Sequence, residues 1–258
     1  MPNLRPAWFF DIAEQGEGLT DVGTHLVDMV SWVLFPDTAI DDEREVQVLR
    51  GRRWPTSLSL AEYQRVTGQA SFPGTLQPPP VGGRFDYYCN NAVDYLLRGV
   101  HVRLETTWEF AAAPGRKDTE RVVFRGSRAR VEVRQDPEDQ YRREVYVVPN
   151  ETADAAALHA AVQRRLAALS VEISGLAVER QTSRLRVVIP ERLRLGHEEH
   201  FAHVVQRFLE YVRNPRLLPA WEKPNLLAKY RITTRGWPWR TRTGCGVERP
   251  SHEPTPRP

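Results

Sequence analysis

Residues 16–35, GEGLTDVGTHLVDMVSWVLF, contain the pattern that organises the chain. The stretch opens with a glycine-rich turn, after which Thr20 or Asp21 can cap a helix by accepting hydrogen bonds from its first-turn amides. Apolar residues then recur at helical spacing and predict one broad buried face: Val22, Leu26, Met29, Val30, Val33 and Leu34. The stretch therefore predicts an amphipathic helix that ends near Pro36, because proline cannot continue it.

Asp21 and His25 are the strongest indication of chemistry in this helix. They are four residues apart, so a helix places them one turn above each other on the same side. A carboxylate held near an imidazole favours its protonated form and fixes its tautomer, which suits a histidine that moves a substrate proton. An acid at a helix start with a histidine one turn later is also a common structural pair, so the spacing alone leaves both interpretations open.

The wider wording, G-E-G-L-T-D-V-G-T-H-L-V-D-M-V-S-W, resembles the signature that opens the second domain of the Gfo/Idh/MocA oxidoreductases. Members of that family show a glycine-rich turn, then D-x-G-x-H-x-x-D and a hydrophobic helix. Two later stretches, E-H-F-A-H-V-V-Q-R-F-L-E-Y-V and L-P-A-W-E-K-P-N-L-L-A-K-Y-R-I-T-T, resemble the end of a subgroup described as an oxidoreductase C-terminal domain. The resemblance spans roughly residues 6–236.

This resemblance implies reversible hydride transfer between NAD(P) and a secondary alcohol of a sugar, cyclitol or related polyol. In the family the histidine is the acid/base on the substrate hydroxyl and the aspartate supports it, and these positions match His25 and Asp21. Thr24, Trp8 and Tyr88 are candidate substrate contacts. The resemblance also implies a homo-oligomer that forms through the sheet of this domain.

The cofactor site of such an enzyme is missing from these 258 residues. A dinucleotide site needs a G-x-G-x-x-G turn between a strand and a helix; Gly16-Glu17-Gly18 lacks the third glycine and Gly244-Cys245-Gly246 follows no predicted strand. Glu222-Lys223-Pro224 has the letters of the family's E-K-P motif, but here it opens a helix instead of ending a strand. We therefore expect NAD or NADP to be bound mainly by a domain outside this chain, carried by a separate dinucleotide-binding polypeptide.

Two alternatives stay open at this stage. The chain is either a truncated gene product or half of a split enzyme, and in isolation we expect it to be inactive as a dehydrogenase, because cofactor binding positions the reaction. From a different functional class, it is a non-catalytic remnant or an interaction domain that keeps its sheet for association without turnover.

Composition excludes several other functions. The net charge of +3 is small and no basic run is interleaved with aromatic residues, so the sequence does not favour nucleic-acid binding. No apolar run has membrane-spanning length, and Cys89 and Cys245 are too far apart for a metal motif or a disulfide framework, which predicts a cytoplasmic protein. His197, His200 and His203 lack the H-E-x-x-H spacing, so we expect a solvated helix face and no metal.

The remaining pattern predicts an α+β fold: a large, mostly antiparallel open sheet with helices packed on one face and no Rossmann domain. Predicted strands cover residues 41–50, 85–97, 100–110, 120–125, 129–134, 141–148, 175–181 and 184–189. Arg98-Gly99 is the predicted turn between the strands at 85–97 and 100–110. Further helices are predicted at residues 54–63, 154–170, 196–212 and 221–233, and Ser59-Leu60-Ala61-Glu62 in the first of them resembles a helix start. The buried stripe of the 196–212 helix is predicted to comprise Phe201, Val204, Val205, Phe208, Leu209 and Val212. By domain, residues 1–15 are expected to be a residual stub, 16–240 the substrate domain and 241–258 a disordered proline-rich tail.

Overall fold

The computed structural model describes residues 4–76, 78–110, 115–151 and 153–236, so the predicted tail at 241–258 lies outside the described residues. The chain divides into two compact units. Unit 1 comprises Met1–Ala111 and Leu218–Pro258, and unit 2 comprises Ala112–Leu217. Unit 2 is therefore an insertion between the two segments that form unit 1. Both units combine helices with an antiparallel sheet, which confirms the predicted α+β class, and the strands are divided between two sheets.

Unit 1 is built on a three-stranded antiparallel sheet in the order β1-β2-β3. Its strands are β1 (Val46–Ser59), β2 (Arg84–Leu97) and β3 (Val100–Thr106). Arg98 and Gly99 form the tight connection between β2 and β3, and both have positive φ values, 50° and 79°. This backbone twist matches that of the strands on either side, as the predicted turn at these two residues requires.

Strand β1 corrects two predictions. It continues beyond the predicted strand at 41–50, and the start of the helix predicted at 54–63 is in fact strand as far as Ser59. The pairing with β2 is irregular between Trp54 and Thr56, which places Pro55 where the ladder does not need its missing amide hydrogen. Helix α2 (Leu60–Thr67) then begins at the capping box that the sequence indicates, with Ser59 and Glu62 as its two members.

Two clusters of buried side chains form the core of unit 1. The first lies where the sheet packs against helices α1 (Val22–Leu34) and α5 (Glu222–Arg235), and the second lies where the sheet packs against α2 and a 3-10 helix at Ala7–Phe10. The first cluster includes Leu19, Val27, Ile40, Val93, Tyr95, Leu97, Ala228 and Ile232. The second comprises Phe10, Leu58, Tyr63, Val66, Leu76, Phe85, Tyr87 and Cys89.

The buried face of α1 differs from the predicted one. Its fully buried positions are Gly23, Val27 and Ser31, whereas Val22 and Val33 from the predicted face are exposed. Gly23 allows the close packing of this face, since a Cβ atom there would lie 3.0 Å from the Leu19 side chain. The buried face is therefore centred on Gly23, Val27 and Ser31, and of these Gly23 lies against the turn that precedes the helix.

Unit 2 contains a five-stranded antiparallel sheet in the order β4-β5-β6-β8-β7. Its strands are β4 (Glu120–Arg125), β5 (Ala129–Gln135), β6 (Glu144–Pro149), β7 (Ala177–Arg180) and β8 (Leu185–Val188). Its helices are α3 (Ala155–Leu169), which contacts β7, and α4 (His197–Arg213). Asp154 caps α3 by accepting hydrogen bonds from the amides of Ala156 and Ala157, at 2.9 and 3.0 Å.

The prediction that α4 buries its apolar stripe is wrong. All six side chains of that stripe are exposed, with exposed fractions between 42% and 66%. The sequence period is helical, as predicted, but the side chains on this face remain largely exposed to solvent. Among the described residues no helix combines the length and the apolarity needed to cross a membrane.

Candidate functional site

The glycine turn before α1 has specific backbone requirements. Gly16 adopts φ +83°, and a Cβ atom on Gly18 would lie 1.9 Å from the carbonyl oxygen of Cys89, so both positions need glycine. The Thr20 hydroxyl closes the turn by accepting from the Glu17 amide at 3.0 Å and donating to the Glu17 carbonyl at 2.9 Å. This turn therefore rests directly on strand β2.

The predicted cap of α1 is wrong in both of its candidates. The Thr20 hydroxyl is used within the turn, and Asp21, which precedes the helix, makes no side-chain capping hydrogen bond among the described residues. The backbone of Asp21 (φ −91°, ψ −96°) lies outside the extended conformation from which a capping side chain reaches the first-turn amides. Its carboxylate is therefore not bound to the helix end.

Asp21 and His25 occupy consecutive turns, as the spacing predicts, with Asp21 half-buried and His25 exposed. The described residues show no hydrogen bond or ion pair between the two side chains. The Thr24 hydroxyl between them donates to the Asp21 carbonyl oxygen at 2.7 Å, so in this conformation it supports the helix start. The structure thus places the imidazole at the surface, with no hydrogen bond or ion pair to the carboxylate among the described residues.

Helix α1 is tied to α5 through Asp28, which lies one turn after His25 on the same side of the helix. The Asp28 carboxylate forms an ion pair with the Lys229 ammonium at 2.7 Å. Asn225 holds the loop after α1, because its Oδ1 accepts from the Ile40 amide at 2.9 Å and its Nδ2 donates to the Thr38 carbonyl at 3.1 Å. These contacts set the orientation of the helix that carries His25.

A cluster that the sequence did not reveal lies beside the glycine turn. Glu17, almost fully buried, forms an ion pair with Arg53 of β1, and the Arg53 guanidinium lies 4.5 Å from the ring centroid of Tyr88. Tyr88, a predicted substrate contact, is therefore held beneath an arginine that the turn positions. No local signal could have found this cluster, because Glu17 and Arg53 are 36 residues apart and Arg53 lies in a segment whose structure was predicted wrongly.

Tyr87 and Cys89 line the buried side of the same region. Burial raises the pKa of the Tyr87 hydroxyl, and the negative charges of nearby groups, including Asp21 and Glu17, raise it further. Burial also raises the pKa of the Cys89 thiol, which donates to the Thr56 hydroxyl at 3.4 Å. Both groups therefore stay protonated at neutral pH, which removes Cys89 as a nucleophile.

Trp8, another predicted substrate contact, lies in the 3-10 helix Ala7–Phe10 with 56% of its side chain exposed. Its ring packs edge-on to Phe9 at a centroid distance of 6.5 Å, and the adjacent Phe10 is fully buried. The segment is thus anchored by one aromatic ring while it presents another at the surface.

Two cavities lie elsewhere. One, of about 910 Å³, lies along β1 and the end of α5, and another, of about 350 Å³, lies in unit 2 around Tyr146 and Arg184. None of the five predicted site residues lines either cavity.

Within the described ranges no group of three or more His, Cys, Asp or Glu side chains is arranged to hold a metal ion, and His200 and His203 are exposed on α4.

The described residues do not fit a dinucleotide. Every strand pair among them is antiparallel, whereas the pyrophosphate site of a dinucleotide fold lies between a strand and a helix of a parallel βαβ unit. Glu222, Lys223 and Pro224 open α5, as predicted, and Lys223 is exposed. Glu222-Lys223-Pro224 therefore begins a helix, whereas the family's lysine motif follows a strand.

A family model described as "Putative oxidoreductase C terminal domain" matches residues 1–239. The chain belongs to this oxidoreductase C-terminal domain family. It is also similar to the crystal structure at 2.23 Å resolution of a protein from Parabacteroides merdae, described as "a putative oxidoreductase", with 36% sequence identity and a TM-score of 0.86. That match covers 91% of this chain and 53% of the other, so the chain spans about half the length of its solved relative. A comparison with curated proteins finds no match.

Membership of the oxidoreductase C-terminal domain family confirms the resemblance seen in the sequence, and the wider Gfo/Idh/MocA grouping fits it. The structural match also confirms the fold class. The roles of His25, Asp21, Thr24, Trp8 and Tyr88 stay predictions, as do the substrate and the use of NAD or NADP.

Proposed function

We propose that this chain is the substrate-binding and acid/base domain of a Gfo/Idh/MocA-type oxidoreductase that acts on a sugar, cyclitol or related polyol. The observation that carries the proposal is the position of His25. It is exposed one turn after Asp21, on a helix that the Asp28–Lys229 ion pair ties to α5, in a chain that belongs to an oxidoreductase family. Residues 16–240 would form the substrate domain.

The chemistry assigned to this chain is proton transfer. The neutral imidazole of His25 accepts the substrate hydroxyl proton, and the Asp21 carboxylate stabilises the imidazolium that results. The two side chains are apart in the free structure, but catalytic hydrogen bonds often tighten only when substrate is bound. Trp8 and Tyr88 would contact the polyol, with Arg53 and Glu17 holding the Tyr88 ring in place.

The hydride that leaves the same carbon needs an acceptor, and NAD or NADP would supply that chemistry from a separate dinucleotide-binding domain. Support for this division comes from the antiparallel strand pairs, which offer no pyrophosphate site within the described residues, and from the coverage of 53% of the solved relative. We further propose a cytoplasmic homo-oligomer that assembles through its sheet, with no membrane or nucleic-acid partner.

Titration calorimetry tests the division of roles. We expect no binding heat when NAD⁺ or NADP⁺ is added to the isolated chain, because the chain contributes only the substrate side. Micromolar binding of either dinucleotide would contradict this. Saturation-transfer NMR of the same chain with a panel of sugars and cyclitols should detect a weak ligand, and Tyr88→Ala should reduce that signal.

The role of His25 is tested in a fusion of this chain to the dinucleotide-binding domain of a Gfo/Idh/MocA enzyme. In a fusion that turns over, His25→Asn should lower kcat by about 100-fold or more, the usual contribution of a positioned acid/base. His101→Asn, at an exposed position on β3, is the matched control and should leave kcat unchanged. Near-normal turnover of the His25 variant, with unchanged thermal unfolding, would remove this residue from the mechanism.

The alternative is a non-catalytic remnant or an interaction domain. It is favoured by one observation, the absence of a contact between the Asp21 and His25 side chains in the described structure. It predicts that the chain binds none of the polyols and that active-site substitutions leave every ligand signal unchanged. The NMR panel therefore distinguishes the two functions before any turnover is measured.

A further inference from the structure

Helix α4 exposes a continuous apolar face. Its six apolar side chains are each at least 42% exposed, and Phe201, Val204 and Phe208 exceed 59%. An uninterrupted apolar stripe of this length on a soluble helix usually marks an interaction surface, since isolated exposed apolar residues need no explanation but contiguous ones do. Leu217 and Leu218, just after the helix, are exposed as well, at 55% and 48%.

The opposite face of α4 is polar. Glu199 accepts a hydrogen bond from the Gly196 amide at 3.0 Å, which closes the N-terminal turn, and Arg207 donates to Glu210 at 3.0 Å. The helix therefore begins at a formed cap and has its own surface ion pair on the side away from the stripe. Both sides of α4 are exposed, and the apolar side is the one whose exposure to water is unfavourable.

The stripe has the same spacing when it is read from either end. An antiparallel pair of α4 helices, related by a two-fold axis between Gln206 and Arg207, places the six side chains opposite one another in three kinds of contact. The facing pairs are Phe201 with Val212, Val204 with Leu209, and Val205 with Phe208. Each kind of contact occurs twice, as an isologous interface requires.

The charges at the two ends of α4 match the same arrangement. The first turn carries Glu198 and Glu199, and the last turn carries Arg213, followed by Arg216. Antiparallel pairing brings the acidic end of each helix to the basic end of the other and opposes the helix dipoles favourably. A parallel pair would instead bring like charges together at both ends.

We propose that α4 is an interface between two copies of this chain, which pair antiparallel through the apolar stripe. A helix of 17 residues is about 25 Å long, so the surface buried by one helix pair is below the roughly 1,200–2,000 Å² of stable complexes. The association is therefore concentration-dependent. This surface is distinct from the sheet, and the inference does not depend on the proposed activity.

Sedimentation equilibrium over a range of concentrations tests the interface. The chain has a mass of 29.6 kDa. The average mass should rise with concentration toward twice that of the species that the proposed sheet interface holds together. Phe208→Glu places a charge at the centre of the stripe and should weaken association by at least about tenfold, whereas Arg207→Glu on the polar face should not. Circular dichroism confirms that both variants keep their helices. An average mass that does not rise up to hundreds of micromolar, or a rise that Phe208→Glu leaves unchanged, would overturn the proposal.

Disulfide trapping tests the antiparallel register. In a Cys245→Ser background, one chain with Val204→Cys is mixed with another carrying Leu209→Cys, and mild oxidation should cross-link the two variants to each other. Each variant alone should give little cross-linked product, because equal positions are five residues out of register. Efficient cross-linking of Val204→Cys to itself would indicate a parallel pair and reject the two-fold arrangement.

Discussion

Units 1 and 2 are stabilised by different kinds of interior. Unit 1 buries interlocking rings, among them Tyr63, Phe85 and Tyr87, between its sheet and its helices. Unit 2 buries two carboxylates, Glu132 and Glu144, each about 3% exposed and each surrounded by arginines. Unit 1 should therefore respond most to changes of side-chain volume, and unit 2 to changes of charge.

The carboxylates of unit 2 depend on their arginines. Burial by itself would raise the pKa of Glu144, but hydrogen bonds and charges from Arg186 and Arg194 outweigh it and hold the pKa below the usual 4.5. Burial acts in the same direction on the pKa of Glu132, and Arg130, with neighbouring arginines, again lowers it. Both groups therefore stabilise unit 2 in their ionised form.

The largest expected effect is in the aromatic core of unit 1. Phe85→Ala should lower the free energy of unfolding of unit 1 by about 3–5 kcal/mol, because a fully buried ring leaves a cavity that its neighbours cannot fill. Tryptophan fluorescence reports unit 1 selectively, since no tryptophan lies between residues 112 and 217. Phe208→Ala, at an exposed position in unit 2, is the matched control and should change stability by less than about 0.5 kcal/mol in dilute solution. Equal losses in the two variants would contradict the comparison.

The second effect is acid sensitivity of unit 2. Because the folded pKa values of Glu132 and Glu144 lie below the unfolded ones, their stabilisation is complete above about pH 4.5 and is lost as the pH falls through the folded values. Methyl NMR signals of Val147 in unit 2 should therefore collapse at a higher pH than those of Val93 in unit 1. Loss of both sets of signals at one pH would show that the buried carboxylates do not decide the acid limit.

A substitution at Glu144 tests directly how far unit 2 depends on its buried carboxylates. Glu144→Gln should cost unit 2 about 1–3 kcal/mol at neutral pH, because Arg186 and Arg194 lose their shared charge partner. It should also flatten the pH dependence below pH 4.5. Glu138→Gln, at an exposed position of the same unit, is the control and should do neither.

The smallest expected effect is at the helix caps, where the two units should respond alike. Ser59→Ala removes the capping box of α2 in unit 1, and Asp154→Ala removes the cap of α3 in unit 2. Each should cost about 1 kcal/mol, seen only in the thermal unfolding of its own unit. Ser59→Thr and Asp154→Asn keep the capping oxygen and should restore most of the stability. A cap that costs several kcal/mol in one unit would mean that this helix is coupled to its core.

Much of the fold follows from local signals in the sequence. The Ser59–Glu62 box lies at the start of α2, although the helix was predicted from residue 54. The Arg98-Gly99 turn predicted the hairpin of β2 and β3, and the period of residues 196–212 predicted α4. These signals act within a few residues, so a sequence is enough to read them. The end of β1 was predicted as the start of a helix, and only its pairing with β2 shows that the strand continues through Pro55.

The parts that could not be predicted depend on distant partners. Helical spacing indicated which side of α4 is apolar, but not that the chain leaves this side exposed. The spacing of Asp21 and His25 predicted that both lie on one side of a helix. Whether their side chains form a hydrogen bond depends also on the backbone conformation at the start of α1, which Gly23 and the glycine turn determine. The Glu17–Arg53 pair joins two elements that have no sequence pattern in common.

The Asp28–Lys229 ion pair also constrains the order in which the protein can mature on the ribosome. The two residues are 201 positions apart, and translation at roughly 5–20 residues per second separates their synthesis by about 10–40 s. During that interval every residue of unit 2 is synthesised. Unit 2 can therefore fold before α5, which supplies Lys229, has been made. A nascent chain halted anywhere before α5 would leave that helix without its contacts to α5 and expose it to chaperones and proteases.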